Sequence, residues 1–297
     1  MKLSIPCLAL ALLANLVVAD EAVMLSASAA YRTPQPAADA IVAYGDAARQ
    51  FGELRLPDGD GPFGVAAVVH GGCWLSDYDH SYMAAFAEAL TDLGIATWTI
   101  GYRRVGEAGG GWPNTFLDAG RALDHLRVLE QDYPIDARRV ITVGHSAGGH
   151  LALWLAGRSR LAESSPLFTA DPVPVRGVLA LAAAADLELL SDRGDCGNAA
   201  TRLIGGTFEE FPRRYADAAP QTSLPMGIEQ ILVNGDRDEQ WSAPADRYFE
   251  TARRAGDPIE RRTAHRSGHF EPVVPGTTGW PTTETALRDL IERTGLR

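Results

Sequence analysis

Segments rich in apolar residues alternate along the chain with segments whose apolar residues recur at helical intervals. The run Val65–His70 is apolar up to its last residue and rich in valine, which is typical of a strand buried on both faces of a sheet. The segment Ser81–Leu93, which ends before Gly94, has the spacing of an amphipathic helix. The same reasoning predicts strands over residues 41–44, 51–56, 65–70, 95–100, 139–143, 178–183, 230–233 and 259–264. It predicts helices over residues 81–93, 113–129, 147–158, 242–256 and 283–294, with helical pieces between 199 and 217.

This alternation predicts the α/β fold class, with a mostly parallel central sheet and helices on both of its faces. The first two strands, 41–44 and 51–56, are expected to form an antiparallel pair. No internal repeat or low-complexity linker interrupts the pattern, so residues 41–297 are predicted to form a single domain. Residues 20–40, rich in Ala, Ser and Pro, are expected to be a loose lead-in. In such a sheet, functional side chains collect on the loops at the carboxyl ends of the strands.

Composition and charge narrow the possible partners. The chain has 297 residues, of which 46% are hydrophobic and 22% are charged, as in a folded globular protein. Its 27 Lys and Arg residues against 38 Asp and Glu residues give a net charge of −11, which argues against a nucleic-acid partner. The chain has no H-E-x-x-H motif and no paired C-x-x-C motifs, so no metal site is predicted.

The first twenty residues have the pattern of a secretory signal peptide. Lys2 precedes a predominantly apolar segment, 7–18, and small residues up to Ala19 are followed by Asp20. A membrane span needs about 20 apolar residues, which is more than this segment offers. We therefore expect cleavage after Ala19 and export of the mature protein to the periplasm or the medium, with no membrane-spanning segment remaining.

A G-x-S-x-G motif follows the predicted strand 139–143 in the sequence Gly144-His-Ser-Ala-Gly-Gly149. Its glycines permit a sharp turn from strand to helix that exposes the Ser146 hydroxyl at the edge of the sheet, as a nucleophile elbow does. The alternative is a plain glycine-rich turn with a capping serine. The predicted strand before the motif and helix after it favour the catalytic interpretation.

A second glycine-rich turn, His70-Gly-Gly-Cys-Trp74, ends the buried strand 65–70. Acyl transfer places negative charge on a carbonyl oxygen, and backbone amides held in position stabilise that charge. The amides of Gly71 and Gly72, or that of Cys73, are candidates to pair with the amide of Ala147 as an oxyanion hole. The alternative is a tight turn beside a core tryptophan.

A serine nucleophile needs a histidine base, which in turn needs an acid to hold its tautomer. His265 and His269 both follow the last predicted strand, and the Gly268-His269 step favours His269 as the base. Asp236 and Asp238 both follow strand 230–233, and Asp238 is favoured because it lies farther out on the loop, whereas Asp236 is suited to bonding backbone amides. Asp186 is a third, weaker candidate. The remaining histidines, His70, His80, His125, His145 and His150, are interpreted as structural.

With these residues assigned, residues 41–275 resemble an α/β-hydrolase of the secreted-esterase and kynurenine-formamidase-like branch. The resemblance rests on the HGG-x-W and G-H-S-A-G-G turns. It also rests on Tyr102-Arg103, Trp112-Pro113 with Asp118, Asp186-Leu-Glu188, Gly235-Asp-Arg-Asp238 and Gly268-His269-Phe270. It implies the triad Ser146, Asp238 and His269, the oxyanion amides of Gly71, Gly72 and Ala147, and hydrolysis of an ester or amide without a cofactor. Two positions depart from the branch, since Cys73 replaces a frequent aromatic residue and Ala219-Pro220 replaces Ser-Pro.

The leading hypothesis is an exported carboxylic-ester hydrolase that acts on a small-molecule ester with a short or aromatic acyl group. An arylformamidase-type amidase acting on an N-formylkynurenine-like substrate is the main alternative. A secreted peptidase and a noncatalytic binding protein on the hydrolase fold are weaker ones. Candidate pocket walls are Cys73, Trp74, Trp112 and Trp241, and residues 187–218 could cover the site.

The cysteine count bears on the same region. Of the three cysteines, Cys7 lies in the expected signal peptide, which leaves Cys73 and Cys196 in the mature chain. Both are predicted on loops at the catalytic edge of the sheet, where an oxidising compartment would allow a disulfide. Two unpaired thiols are the alternative.

Overall fold

The computed structural model describes residues 24–297, and a single eight-stranded sheet forms the centre of this part of the chain. The strands are β1 Ala40–Ala43, β2 Phe51–Arg55, β3 Phe63–Val69, β4 Ala96–Ile100, β5 Ile135–His145, β6 Gly177–Leu181, β7 Glu229–Gly235 and β8 Ile259–Ala264. They lie in the order β1-β2-β4-β3-β5-β6-β7-β8. β2 is antiparallel to both β1 and β4, and all other neighbours are parallel. The predicted α/β class and the antiparallel first pair are confirmed.

Helices cover both faces of the sheet. They are α1 Ala27–Ala30, α2 Ala84–Thr91, α3 Asn114–Asp124, α4 Leu126–Leu129, α5 Ala147–Gly157, α6 Leu187–Arg193, α7 Asp195–Ile204, α8 Pro212–Ala218, α9 Glu239–Ala255 and α10 Trp280–Thr294. Buried residues of α3, α5 and α9 form a core on one face, whereas those of α2 and α10 form a core on the other. Alternate residues of β3 enter the two cores, Val65 the first and Ala66 the second, which explains its continuous apolar run.

The predicted elements differ from the observed ones mainly at their ends. β5 begins at Ile135 rather than at Arg139, because Ile135 pairs with Phe63 beyond an irregularity in the register. The predicted helix 113–129 is divided into α3 and α4. Helix α6 was not predicted, and it begins where the Asp186 carboxylate accepts the Leu189 N–H at 2.9 Å.

Residues 24–31, which belong to the expected loose lead-in, are attached to the rest of the protein. Ala30 at the end of α1 is fully buried. The Tyr31 hydroxyl donates to the Asp79 carbonyl at 2.9 Å and accepts the Asp79 N–H at 3.0 Å. The Leu25 N–H donates to the Glu271 carboxylate. These contacts attach residues 24–31 to the edge of the sheet that carries the candidate site.

The predicted signal peptide, residues 1–19, lies outside the described residues. Within residues 24–297, none of the helices combines the length and the apolar character that a bilayer crossing requires.

Candidate active site

Ser146 occupies the turn between β5 and α5, with φ 56° and ψ −121°. This backbone conformation is unfavourable for a residue with a side chain. The flanking glycines make the turn possible, since a Cβ on Gly144 would lie 2.1 Å from the Gly148 carbonyl oxygen and one on Gly148 would lie 2.1 Å from that of Val69. The Ser146 N–H donates to the Leu181 carbonyl of β6 at 2.8 Å. Neighbouring strands therefore hold the strained turn, with the positive end of α5 directly behind Ser146.

Asp238 and His269 form a hydrogen-bonded pair at the same edge of the sheet. Asp238 follows β7 and is only 6% exposed, and its Oδ2 lies 2.8 Å from Nδ1 of His269 in the loop after β8. A carboxylate only accepts hydrogen bonds, so Nδ1 carries the proton and Nε2 is left as an acceptor. The Trp241 ring stacks on the His269 ring, with centroids 5.2 Å apart and an interplanar angle of 29°.

The other candidate acids and the other candidate base have different partners. The Asp236 carboxylate accepts the Ser267 N–H at 3.1 Å and lies 3.4 Å from Nδ1 of His265. The His265 side chain is 84% exposed. Asp186 caps α6 and pairs with Arg247 at 3.1 Å. Only Asp238 and His269, of these five candidates, form a pair beside Ser146.

The turn after β3 divides the predicted oxyanion residues into two groups. The Gly71 N–H donates to the Tyr82 hydroxyl at 2.7 Å, so its hydrogen is already engaged. Gly72 has φ 105° and lines the cavity that contains Ser146. Among residues 24–297, the N–H groups of Gly72 and Ala147 form no hydrogen bond. The N–H of Cys73, the third candidate in this turn, forms none within this range either, so Gly72, Cys73 and Ala147 are the predicted residues whose amides are unengaged.

Ser146 and His269 line one cavity of about 160 Å³. Two of the predicted pocket residues, Cys73 and Trp241, lie in its wall. Much of the remaining wall is aromatic. The lining residues that the sequence did not point to are Ala27, Tyr31, Tyr78, Tyr82, His145 and Phe270.

Trp74 and Trp112, also predicted as pocket walls, are not among the residues that line this cavity. Trp74 is 2% exposed and packs edge-on against His150, with ring centroids 5.3 Å apart. Trp112 lines a different surface pocket and packs against Phe116, with centroids 5.8 Å apart. An aromatic residue next to a motif can either line the cavity or pack into the core. Here both tryptophans pack against other aromatic rings.

The buried histidines are kept neutral by their surroundings. Burial, reinforced by the charge of His269, lowers the pKa of His145 well below its usual value. Burial also lowers the pKa of His70 to about 3 and that of His150 to about 4. His145 forms part of the cavity wall, so it is closer to the site than the sequence indicated.

Cys73 and Cys196 are joined by a disulfide across a sequence separation of 123 residues. Of the two alternatives that the sequence left open, the structure thus has the disulfide between the turn after β3 and the segment 187–218, and not two unpaired thiols. That segment contains α6, α7 and α8. None of its residues, all of which the structure describes, lines the cavity at Ser146. It is therefore attached beside the site and contributes no wall to this cavity.

No group of three or more His, Cys, Asp or Glu side chains within residues 24–297 is placed to hold a metal ion.

The mostly parallel sheet, the strained serine turn after β5 and the loops after β7 and β8 define an α/β-hydrolase fold. A sequence model of the BD-FAE family matches residues 54–245. The chain belongs to the BD-FAE family. No match was found among curated proteins.

Solved structures of similar fold carry esterase names. A truncated carbohydrate esterase from gut microbiota superposes with a TM-score of 0.71 at 19% identity, over 86% of this chain and 95% of that one. Esterase B from Lactobacillus rhamnosis, inhibited by a C6-C4 SN3 compound, gives a TM-score of 0.73 at 16% identity over 90% of both chains. A bacterial heroin esterase gives 0.65 at 22% identity, over 83% of this chain and 80% of that one.

Proposed function

We propose that the protein is an exported serine hydrolase that cleaves a carboxylic ester through an acyl-enzyme. The observation that carries the proposal is the meeting of Ser146, on its strained turn, with the hydrogen-bonded pair His269–Asp238 at one cavity. A nucleophile, a base and a group that orients the base are the parts that serine acyl transfer requires. The esterase names of the structural neighbours agree with this chemistry.

In the proposed reaction, the Ser146 hydroxyl attacks the ester carbonyl carbon while Nε2 of His269 takes its proton. Asp238 holds the proton on Nδ1 and stabilises the imidazolium that results. Collapse of the tetrahedral intermediate releases the alcohol, which takes the proton from His269. Water, deprotonated by His269, then attacks the acyl carbon, and the bond to Ser146 Oγ breaks as His269 returns the proton to that oxygen, which releases the acid.

The carbonyl oxygen gains negative charge in both steps. The N–H groups of Gly72 and Ala147 are the donors that we assign to it, because they are unengaged among the described residues and belong to the two turns at the cavity. The N–H of Cys73 meets the same two conditions and is the alternative to that of Gly72. Such donors act in a site with little water, where each is worth about 2.7–4 kcal/mol of barrier. Gly71 supports this hole through its backbone while its own N–H is bound to Tyr82.

The size and lining of the cavity favour a substrate with a small or flat acyl group. Its volume of about 160 Å³ lies below the roughly 300–1,000 Å³ of pockets that enclose a drug-sized ligand. Tyr31, Tyr78, Tyr82 and Phe270 present aromatic surface in its wall. We infer that the acyl group of a short or aromatic ester enters and that the alcohol remains outside. Export is supported by the pattern of residues 1–20 and by the presence of a disulfide.

The proposal is tested by hydrolysis of p-nitrophenyl acetate by the wild-type protein and by Ser146→Ala. We expect the variant to lose at least about 10⁴-fold in kcat, with an unchanged circular dichroism spectrum. Ser165→Ala removes another buried serine hydroxyl outside the cavity and serves as the matched control. Hydrolysis by Ser146→Ala at the wild-type rate would refute the role of Ser146. A parallel assay compares the rates of hydrolysis of an aryl formamide and of the ester, and so tests the amidase alternative.

A further inference from the structure

A continuous set of hydrogen bonds connects the turn after β3 with the loop that carries His269. The Gly71 N–H lies 2.7 Å from the Tyr82 hydroxyl, which lies 2.8 Å from Nδ1 of His145. Nε2 of His145 lies 2.9 Å from the carbonyl oxygen of His269. Tyr82 and His145 are only 2% and 1% exposed, so bulk water has little access to these bonds.

Each bond in this set has one possible direction. A backbone N–H only donates, so the Tyr82 oxygen accepts from Gly71. A backbone carbonyl only accepts, so the proton of His145 is on Nε2 and is donated to His269. Burial keeps the His145 ring neutral, which leaves Nδ1 without a proton. Tyr82 therefore donates its hydroxyl proton to Nδ1 of His145.

The two ends of this set are next to proposed catalytic groups. Gly71 immediately precedes Gly72, whose amide we assign to the oxyanion hole. The carbonyl at the other end belongs to His269 itself. A Cβ on Gly71 would lie 2.9 Å from the Ser146 Cβ and 3.0 Å from the Tyr82 hydroxyl, so the turn and the nucleophile are closely packed. A shift at either end would move a reacting group relative to Ser146.

We propose that Tyr82 and His145 are positioning residues that hold the oxyanion turn and the His269 loop at a fixed separation. This inference rests on the proposed function. We call the two side chains and their three hydrogen bonds the Tyr82–His145 bridge. Misplacement of reacting groups by about 1 Å costs on the order of 100-fold in rate, which sets the size of effect to expect.

Tyr82→Phe keeps the ring and removes the hydroxyl that joins Gly71 to His145. We expect kcat for an activated ester to fall about 10- to 100-fold with KM within about twofold, because acyl-group contacts with the ring remain. The rate of Ser146 phosphonylation should fall by a similar factor. The matched control is Tyr248→Phe, which removes a buried hydroxyl that donates to Gln230 at 2.6 Å, away from the cavity. We expect Tyr248→Phe to keep the wild-type kcat. Wild-type kcat in Tyr82→Phe, or an equal fall in both variants, would overturn the positioning role.

A measurement on the wild-type protein tests the bridge independently of activity and of whether a variant folds. Nitrogen-15 spectra of the histidine rings report which ring nitrogen carries the proton. The bridge requires His145 to be neutral with its proton on Nε2 at pH 7. A proton on Nδ1, or a charged ring, would overturn the inference. If the wild-type protein hydrolyses no ester while His145 shows the expected tautomer, the proposed function fails and the hydrogen-bonded bridge remains.

Discussion

The disulfide between Cys73 and Cys196 offers a quantitative test of how the segment containing α7 is attached to the edge of the sheet that carries the candidate site. The perturbation is the double variant Cys73→Ser, Cys196→Ser. The closed loop spans a sequence separation of 123 residues. The chain-entropy relation gives about 5 kcal/mol of stabilisation at 25 °C for a loop of this length, an upper figure because the unfolded chain keeps some structure. At roughly 2 °C per kcal/mol for a chain of this size, the melting temperature should fall by about 10 °C.

Local backbone geometry adds a second expectation for the same variant. Cys73 and Trp74 have φ of 53° and 57°, and Cys196 and Asn198 have φ of 50° and 60°. These left-handed conformations are unfavourable for residues with side chains, so both connected turns depend on external support. Loss of the disulfide should loosen the turn that carries Gly72 and lower kcat.

The assay is urea unfolding of the wild-type protein and the double variant, each with and without a reducing agent. Reduction should destabilise the wild-type protein to the level of the variant and leave the variant unchanged. A difference below about 1 kcal/mol between oxidised wild type and variant would refute the entropic argument. Two titratable thiols in the denatured, unreduced protein would refute the disulfide itself.

Three further predictions follow from named contacts. Asp238→Asn should lower kcat about 10³- to 10⁴-fold because it disturbs the His269 tautomer, whereas Asp236→Asn should change it little; equal losses in ester hydrolysis assays would contradict the assignment. Tyr31→Ala removes a cavity wall contributed by residues 24–31. The kcat/KM for an ester with a longer acyl group, divided by that for the acetate ester, should rise about 10-fold, and an unchanged ratio would exclude Tyr31 from acyl selection. His70 and His150 have pKa values of about 3 and about 4, below the unfolded value of about 6.5, so the stability they contribute is present above pH 6.5 and is lost as pH falls. Urea unfolding should show a loss of up to about 1.4 kcal/mol per pH unit for each between pH 6.5 and 5, and a flat profile would contradict their burial as neutral rings.

The central strands of the sheet were predictable because they are buried on both faces. Each residue of β3 after Phe63 enters one of the two cores or is a glycine, so its sequence is continuously apolar. The start of β5 was not predictable in the same way. Asp136, Arg138 and Arg139 carry charged side chains, and the start of the strand is fixed by the pairing of Ile135 with the distant residue Phe63.

In the candidate site, too, the residues positioned by their sequence neighbours were predictable, and those positioned by distant contacts were not. The position of Ser146 is set by glycines within a few residues, which made the turn readable from the sequence. The cavity wall at Tyr31 depends on contacts with Asp79 and with the Tyr82 ring at 5.2 Å, and no periodic pattern near residue 31 signals them. Trp112 was a reasonable candidate by position, yet it packs against Phe116 instead.

Covalent labelling of the wild-type protein tests the acyl-enzyme account most directly. The protein is incubated with an alkyl fluorophosphonate, digested and examined by mass spectrometry, with and without excess ester substrate. We predict one adduct per chain, on Ser146, which forms in parallel with the loss of esterase activity and more slowly when substrate is present. An adduct on another residue, or full esterase activity in protein labelled at Ser146, would contradict the account.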